Sequence, residues 1–246
     1  MRAVVITLLG ALTISLALSV AAAQKKDKRW TEWSIEDAEK ILNDSPWAKT
    51  QVDTETTQKL YSRNSESNLS TDTVTAGTTA RLARGAVNQN IDIRFHVRLF
   101  SARPVRQALA RIIELQQKPK AEVLTRLHGF AETKSNSSII ITITFESNEP
   151  AYLGATMRAF TGATTAVLSS KTYLETSDGK RIFLQQYVPP GKDGFGARFI
   201  FPRLVDGPPF LTPNSGELRF HTEYPGLEID RRFKVADMLL KGELEY

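Results

Sequence analysis

From Ile91 to Phe100 the chain alternates one residue at a time. Ile91, Ile93, Phe95, Val97 and Leu99 are apolar; Asp92, Arg94, His96 and Arg98 between them are polar. A period of two sends the first set to one face of a strand and the second to the other. The pattern therefore predicts a strand with one buried and one wet face. Then the period changes. Ser101-Ala102-Arg103-Pro104 turns the chain, and Pro104 suits the first turn of a helix. Val105, Leu109, Ile112 and Ile113 follow as an apolar stripe at helical spacing. Lys118-Pro119 ends that helix and opens another, with Val123, Leu124 and Leu127 as its stripe and Gly129 as its stop. The expectation is a helical hairpin at about 104–129, inserted between strands.

Beyond Ser138 the pattern is β. Ile139–Phe145 (IIITITF) is rich in β-branched residues and suits a buried strand. Ala166–Tyr173 reads as a weaker strand. Tyr173–Thr176 and Arg181–Val188 flank Ser177-Asp178-Gly179-Lys180, where Asp-Gly signals a hairpin. Phe195–Phe201, Leu218–Thr222, Leu227–Val235 and Leu239–Tyr246 complete the set. Short strands separated by Pro and Gly turns point to a mainly β, α+β fold. The arrangement expected is an antiparallel β-sandwich, which admits an immunoglobulin-like topology, with an N-terminal helix added to it. The β-rich domain spans 91–246 in this reading.

Upstream, Ser34 reads as a helix N-cap with Asp37 completing a capping-box-like pattern. Ile35, Ala38, Ile41 and Leu42 recur at helical spacing, and Asp44-Ser45-Pro46 stops the helix. Trp30, Trp33 and Trp47 bracket this segment, which with a basic tail makes up 24–52. Residues 53–90 are rich in Thr, Ser, Asn and Gln without a period, and read as a mobile loop or linker. The first 23 residues form an apolar run behind Arg2 that closes on Ala21-Ala22-Ala23. A charged start, an apolar middle and small residues at the end are the parts of a secretory signal peptide, here 1–23. The chain is then expected to be exported, periplasmic or extracellular, with no transmembrane span after signal removal.

Composition adds two points. There is no cysteine, which excludes thiol nucleophiles, thiolate zinc sites and disulfides. A formal net charge of +5 is basic without being extreme, and part of it sits in Lys25, Lys26, Lys28 and Arg29, a solvated tail or a tether to anionic lipid or polysaccharide. No aromatic–basic motif suggests nucleic acid.

The segment WTEWSIEDAEKILNDSPWAK resembles the N-terminus of a family of exported bacterial proteins of acidobacterial type that carries no assigned activity. SARPVRQALAR and DMLLKGELEY are similar to that family too. The resemblance implies export and a bacterial origin, and it implies no chemistry.

No local pattern forces a reaction. His96, His128 and His221 lack metal-ligand spacing, although His96 and His221 lie on predicted strands and could meet across a sheet. Ser169-Ser170-Lys171 lacks catalytic spacing, and there is no G-x-S-x-G elbow. Gly191–Gly196 follows two prolines and precedes a strand, so it reads as a hairpin loop rather than a phosphate cradle. No cofactor and no metal is expected. The one positive signal is Arg94 and Arg98 on a wet strand face with Arg103 and Arg106 at the next helix start: a candidate anionic-ligand patch. The leading expectation is an exported non-enzymatic module binding an envelope protein or an anionic polysaccharide. Two alternatives stay open. One is an extracytoplasmic glycan or ester hydrolase using carboxylates at strand ends, from among Glu146, Glu149, Glu217 and Glu223. The other is a carrier of a small apolar ligand.

Overall fold

The structure is a computed structural model that describes residues 28–53, 92–134, 137–148 and 150–246. The expected signal peptide at 1–23 and, save for Asp53, the polar stretch at 53–90 lie outside the described residues.

Helix α1 (Ile35–Asn43) begins with the capping box its sequence announces. The Ser34 hydroxyl accepts from Asp37 N and the Asp37 carboxylate accepts from Ser34 N, each at 3.1 Å. Strands β1 (Ala48–Asp53) and β2 (Ile93–Leu99) follow. Helices α2 (Arg103–Gln117) and α3 (Ala121–Glu132) form the hairpin, broken at Lys118 in the left-handed region and at Pro119. Gly129, the expected stop, is inside α3. Next come β3 (Ser138–Ser147), α4 (Pro150–Gly162) and the short α5 (Thr165–Leu168). The remaining strands are β4 (Tyr173–Thr176), β5 (Arg181–Phe183), β6 (Gln186–Val188), β7 (Ala197–Pro202), β8 (Glu217–Tyr224) and β9 (Leu227–Lys234). The hairpin β10 (Leu239–Leu240) and β11 (Glu243–Leu244) closes the set.

These strands form an α+β, mostly antiparallel structure. One sheet has the order β1-β2-β3-β7-β6 and a second the order β5-β4-β8-β9. The register sets Phe95 opposite Phe145 and Val97 opposite Ile143, so the apolar alternates of neighbouring strands share one face. That face meets the apolar face of the second sheet: Phe199 and Phe201 of β7 lie 5.4 and 6.3 Å from Phe220 of β8. Phe160 of α4 enters between the sheets, with ring centroids 5.1 Å from Phe145 and 4.6 Å from Tyr224. An aromatic cluster thus fills the space between the sheets.

The sandwich is tied at both edges. At one edge Gln51 of β1 accepts from Asp230 N (3.1 Å) and donates to Glu228 O (2.8 Å), spanning from the first sheet to β9 of the second. At the other edge the chain itself crosses, because β5 belongs to the second sheet and β6 to the first. The expected single strand Arg181–Val188 is therefore two, broken at Leu184-Gln185 where the chain changes layers. Ala166–Tyr173 also departs from expectation. Thr164 caps Val167 N and sets a helical turn, and the strand starts only at Tyr173. Local capping here overrides β-branched preference. Leu239–Tyr246 folds as a hairpin, since Lys241 and Gly242 both take positive φ.

Helices α1, α2 and α3 cover one face of this sandwich. Helix α1 lies on the outer side of β1 and β2, α2 packs on α1, and α3 on α2. Among the described residues, no helix is long and apolar enough to cross a membrane.

Candidate functional site

Alternation along β2 sends Arg94, His96 and Arg98 to the outer side of the first sheet, toward the helices. Their neighbours in register are short: Ala48 and Thr142 flank Arg98, and Thr50 and Thr144 flank His96. The short side chains leave room for the Arg98 guanidinium to run under the end of α1. There its Nε donates to Leu42 O at 2.7 Å, Nη2 to Asn43 Oδ1 at 3.1 Å and Nη1 to Thr144 Oγ1 at 2.7 Å. The last carbonyls of a helix lack intrahelical partners and carry the negative end of its dipole, so a cation is at home there.

All three acceptors are neutral. Among the described residues no carboxylate lies within 4.0 Å of Arg98. Burial pushes its pKa down to about 10, so it stays charged at neutral pH. The side chain lines a cleft of about 290 Å³ with His96, Asn43, Thr144 and Ile112, and with Glu39 and Glu146. That volume stands at the lower end of ligand sites, which run from about 300 to 1,000 Å³, and fits one small group rather than a bulky ligand.

His96 completes the wall. Thr50 Oγ1 donates its one proton to Asn43 O at 3.0 Å, so the contact of 3.0 Å between Thr50 Oγ1 and His96 Nδ1 requires a proton on Nδ1. Nε2 then faces Glu146 Oε1 at 3.5 Å. Burial, reinforced by the charge of Arg98, holds the imidazole below its usual pKa against the pull of Glu146. At neutral pH the ring is uncharged, and acidification adds a second cation beside Arg98.

The four arginines of the expected patch have separate fates, and the structure does not gather them on one exposed face. Arg94 is half-exposed and lies 3.8 Å from Glu146 at the rim. Arg98 is half-buried beneath the end of α1, as described. Arg103 Nε donates to the buried Glu245 carboxylate at 2.7 Å, which raises the arginine pKa. Arg106 is 5% exposed, and its guanidinium donates to the main-chain oxygens of Ser101 and Thr133. Burial lowers its pKa. Arg103 and Arg106 therefore bind the helical hairpin and the C-terminal segment to the body.

The histidines do not converge. His96 is on the outer face of the first sheet and His221 on the outer face of the second, because their neighbours Phe95 and Phe220 both point into the shared core. His128 lies edge-on to Trp30, centroids 4.8 Å apart, and 3.4 Å from Glu114. The carboxylates considered for hydrolysis are likewise apart. Glu146 is on the first sheet, while Glu217 pairs with Arg232 and Glu223 with Lys171 on the second. Glu149 lies outside the described residues. Sequence reasoning missed Asn43 and Thr50; only the strand pairing and the position of α1 bring them to Arg98.

No protein-family model, curated protein or solved structure matches the chain.

Proposed function

We propose that the chain is an exported, non-enzymatic binding module that takes an acidic group of a surface polysaccharide into the cleft floored by Arg98. The observation that carries this reading is a charged guanidinium, partly withdrawn from water, that lines an open cleft and whose hydrogen-bond partners among the described residues are all neutral, the nearest cleft carboxylates being those of Glu39 and Glu146 beyond ion-pair distance. A desolvated charge is costly unless paired, and a carboxylate matches the planar guanidinium. Arg94 at the rim adds attraction over the screening length. Export is supported by the apolar run Ala3–Val20 closing on Ala21-Ala22-Ala23.

Calorimetric titration with a uronic-acid oligosaccharide (oligogalacturonate) and with a neutral cello-oligosaccharide tests the reading. Binding of the acidic glycan alone, weakening with added salt, is the expected result. Equal binding of both, or of neither, would overturn it. Affinity for the acidic glycan should rise as pH falls through the lowered pKa of His96, because its protonation adds a cation to the wall.

A further inference from the structure

The outer face of the second sheet holds a separate group of ligand-type side chains. Register sets His221 of β8 directly opposite Asp230 of β9. Glu228, two residues from Asp230, shares that face. His221 Nδ1 lies 3.3 Å from Asp230 Oδ2 and 3.5 Å from Glu228 Oε1. One ligand atom from each of the three falls within 4.8 Å of the others. Bonds of about 2.0–2.2 Å at tetrahedral angles put neighbouring ligand atoms roughly 3.3–3.6 Å apart. The two histidine–carboxylate distances already match that spacing, and a turn of the exposed Glu228 side chain closes the third.

The frame around the three is fixed. The His221 ring stacks on Tyr173, centroids 4.8 Å apart and planes 27° apart, and it is only 13% exposed. Gln51, reaching from the first sheet, hydrogen-bonds the main chain of both Glu228 and Asp230 and so sets their spacing. Arg219 Nε (2.7 Å) and Nη2 both donate to Asp230 Oδ2, the oxygen nearest His221, and Nη1 donates to Glu175 Oε2 at 3.3 Å, so the arginine charge is shared between two acids and a metal ion joins Asp230 beside this contact or through the other carboxylate oxygen. Metal ligands are commonly oriented by such outer contacts.

We infer that His221, Glu228 and Asp230 bind a divalent transition-metal ion of the zinc class. One nitrogen and two carboxylate oxygens favour such an ion over calcium or magnesium, which prefer oxygen alone. Three protein ligands leave a position open to solvent, the hallmark of a site that can take a further ligand. The site is independent of the Arg98 cleft, which lies on the opposite face of the sandwich.

The test is titration of the metal-free full chain with Zn²⁺, and with Co²⁺ followed by its visible absorption. One equivalent should bind, with a tetrahedral Co²⁺ spectrum, and Ca²⁺ should not compete. Both His221→Ala and Glu228→Gln should lose binding, while Arg98→Gln should keep it. Glu228 is exposed, so its variant keeps the test valid even where His221→Ala melts early. No Zn²⁺ binding by the wild-type chain, or undiminished binding by a folded Glu228→Gln variant, overturns the inference.

Discussion

Arg98 and Arg219 occupy matching places, each on the outer face of a strand in one of the two sheets, yet their surroundings are opposite. Arg98 is roofed by α1, takes three neutral acceptors and has its pKa pushed down by burial. Arg219 has no helix of the described residues hydrogen-bonded to it, takes the carboxylates of Asp230 and Glu175, and has its pKa raised. The helical layer makes the difference. It surrounds Arg98 with carbonyl, amide and hydroxyl oxygens that solvate the charge, and leaves Glu146 to act on it only from beyond ion-pair distance. The bare sheet instead satisfies its cations with a ladder of ion pairs, Arg181–Glu175–Arg219–Asp230. An uncancelled cation attracts a ligand from outside; a cancelled one orders its own neighbours.

The sheets also differ at the glycines that open β7 and β8, and these predict the largest effects. Gly196 precedes β7 with φ +78°, and a Cβ there would stand 2.2 Å from Ile143 O, a backbone atom. Gly216 precedes β8 with φ +71°, and its Cβ would stand 2.6 Å from the Ser177 hydroxyl and 2.9 Å from Ser177 Cβ, so rotation of the hydroxyl relieves only part of the clash. Gly196→Ala should cost about 3 kcal/mol or more, Gly216→Ala about 1–2 kcal/mol, read from urea unfolding. Equal costs would mean that the first sheet is no less yielding than the second.

Next in size are the arginines themselves. Arg98→Met removes three hydrogen bonds from a charged donor and should cost about 2 kcal/mol, nearly independent of salt. Arg219→Met should cost under about 1 kcal/mol, with the loss shrinking further at high salt because its partners are screened by water. The reverse ranking would undo the contrast between covered and bare faces.

A smaller effect concerns pH. The folded pKa of His96 is lowered, so the unfolded chain binds the proton more readily. The stability it contributes is fully present above its unfolded pKa of about 6.5 and is lost as pH falls through that value toward the lowered folded pKa. Stability curves at mildly acidic and neutral pH should converge in His96→Gln. The smallest change is Arg94→Gln at the rim, expected to cost under about 0.5 kcal/mol.

Much of the covered face was legible before the structure. Alternation in Ile93–Leu99 gave the outward side of Arg94 and Arg98, and Ser34 with Asp37 announced the start of α1. Spacing tells which side of an element a residue is on, not what covers that side. Arg103 and Arg106 share a helix start as expected, but their partners, Glu245 and the Ser101 and Thr133 carbonyls, are brought in by tertiary packing. Helix α4 had no period to announce it. Its key residue, Phe160, is defined by the gap it fills between two sheets. The His221 group needed register: His221 and Asp230 are far from any ligand motif, and only antiparallel pairing of β8 with β9 sets them face to face.

The central claim is that the uncancelled charge of Arg98 is a binding device. Isothermal titration of oligogalacturonate into wild type and Arg98→Gln, with Arg94→Gln as comparator, tests it most directly. The account predicts that Arg98→Gln still unfolds cooperatively but loses detectable binding, while Arg94→Gln binds with reduced affinity. Wild-type affinity in a folded Arg98→Gln variant would contradict it.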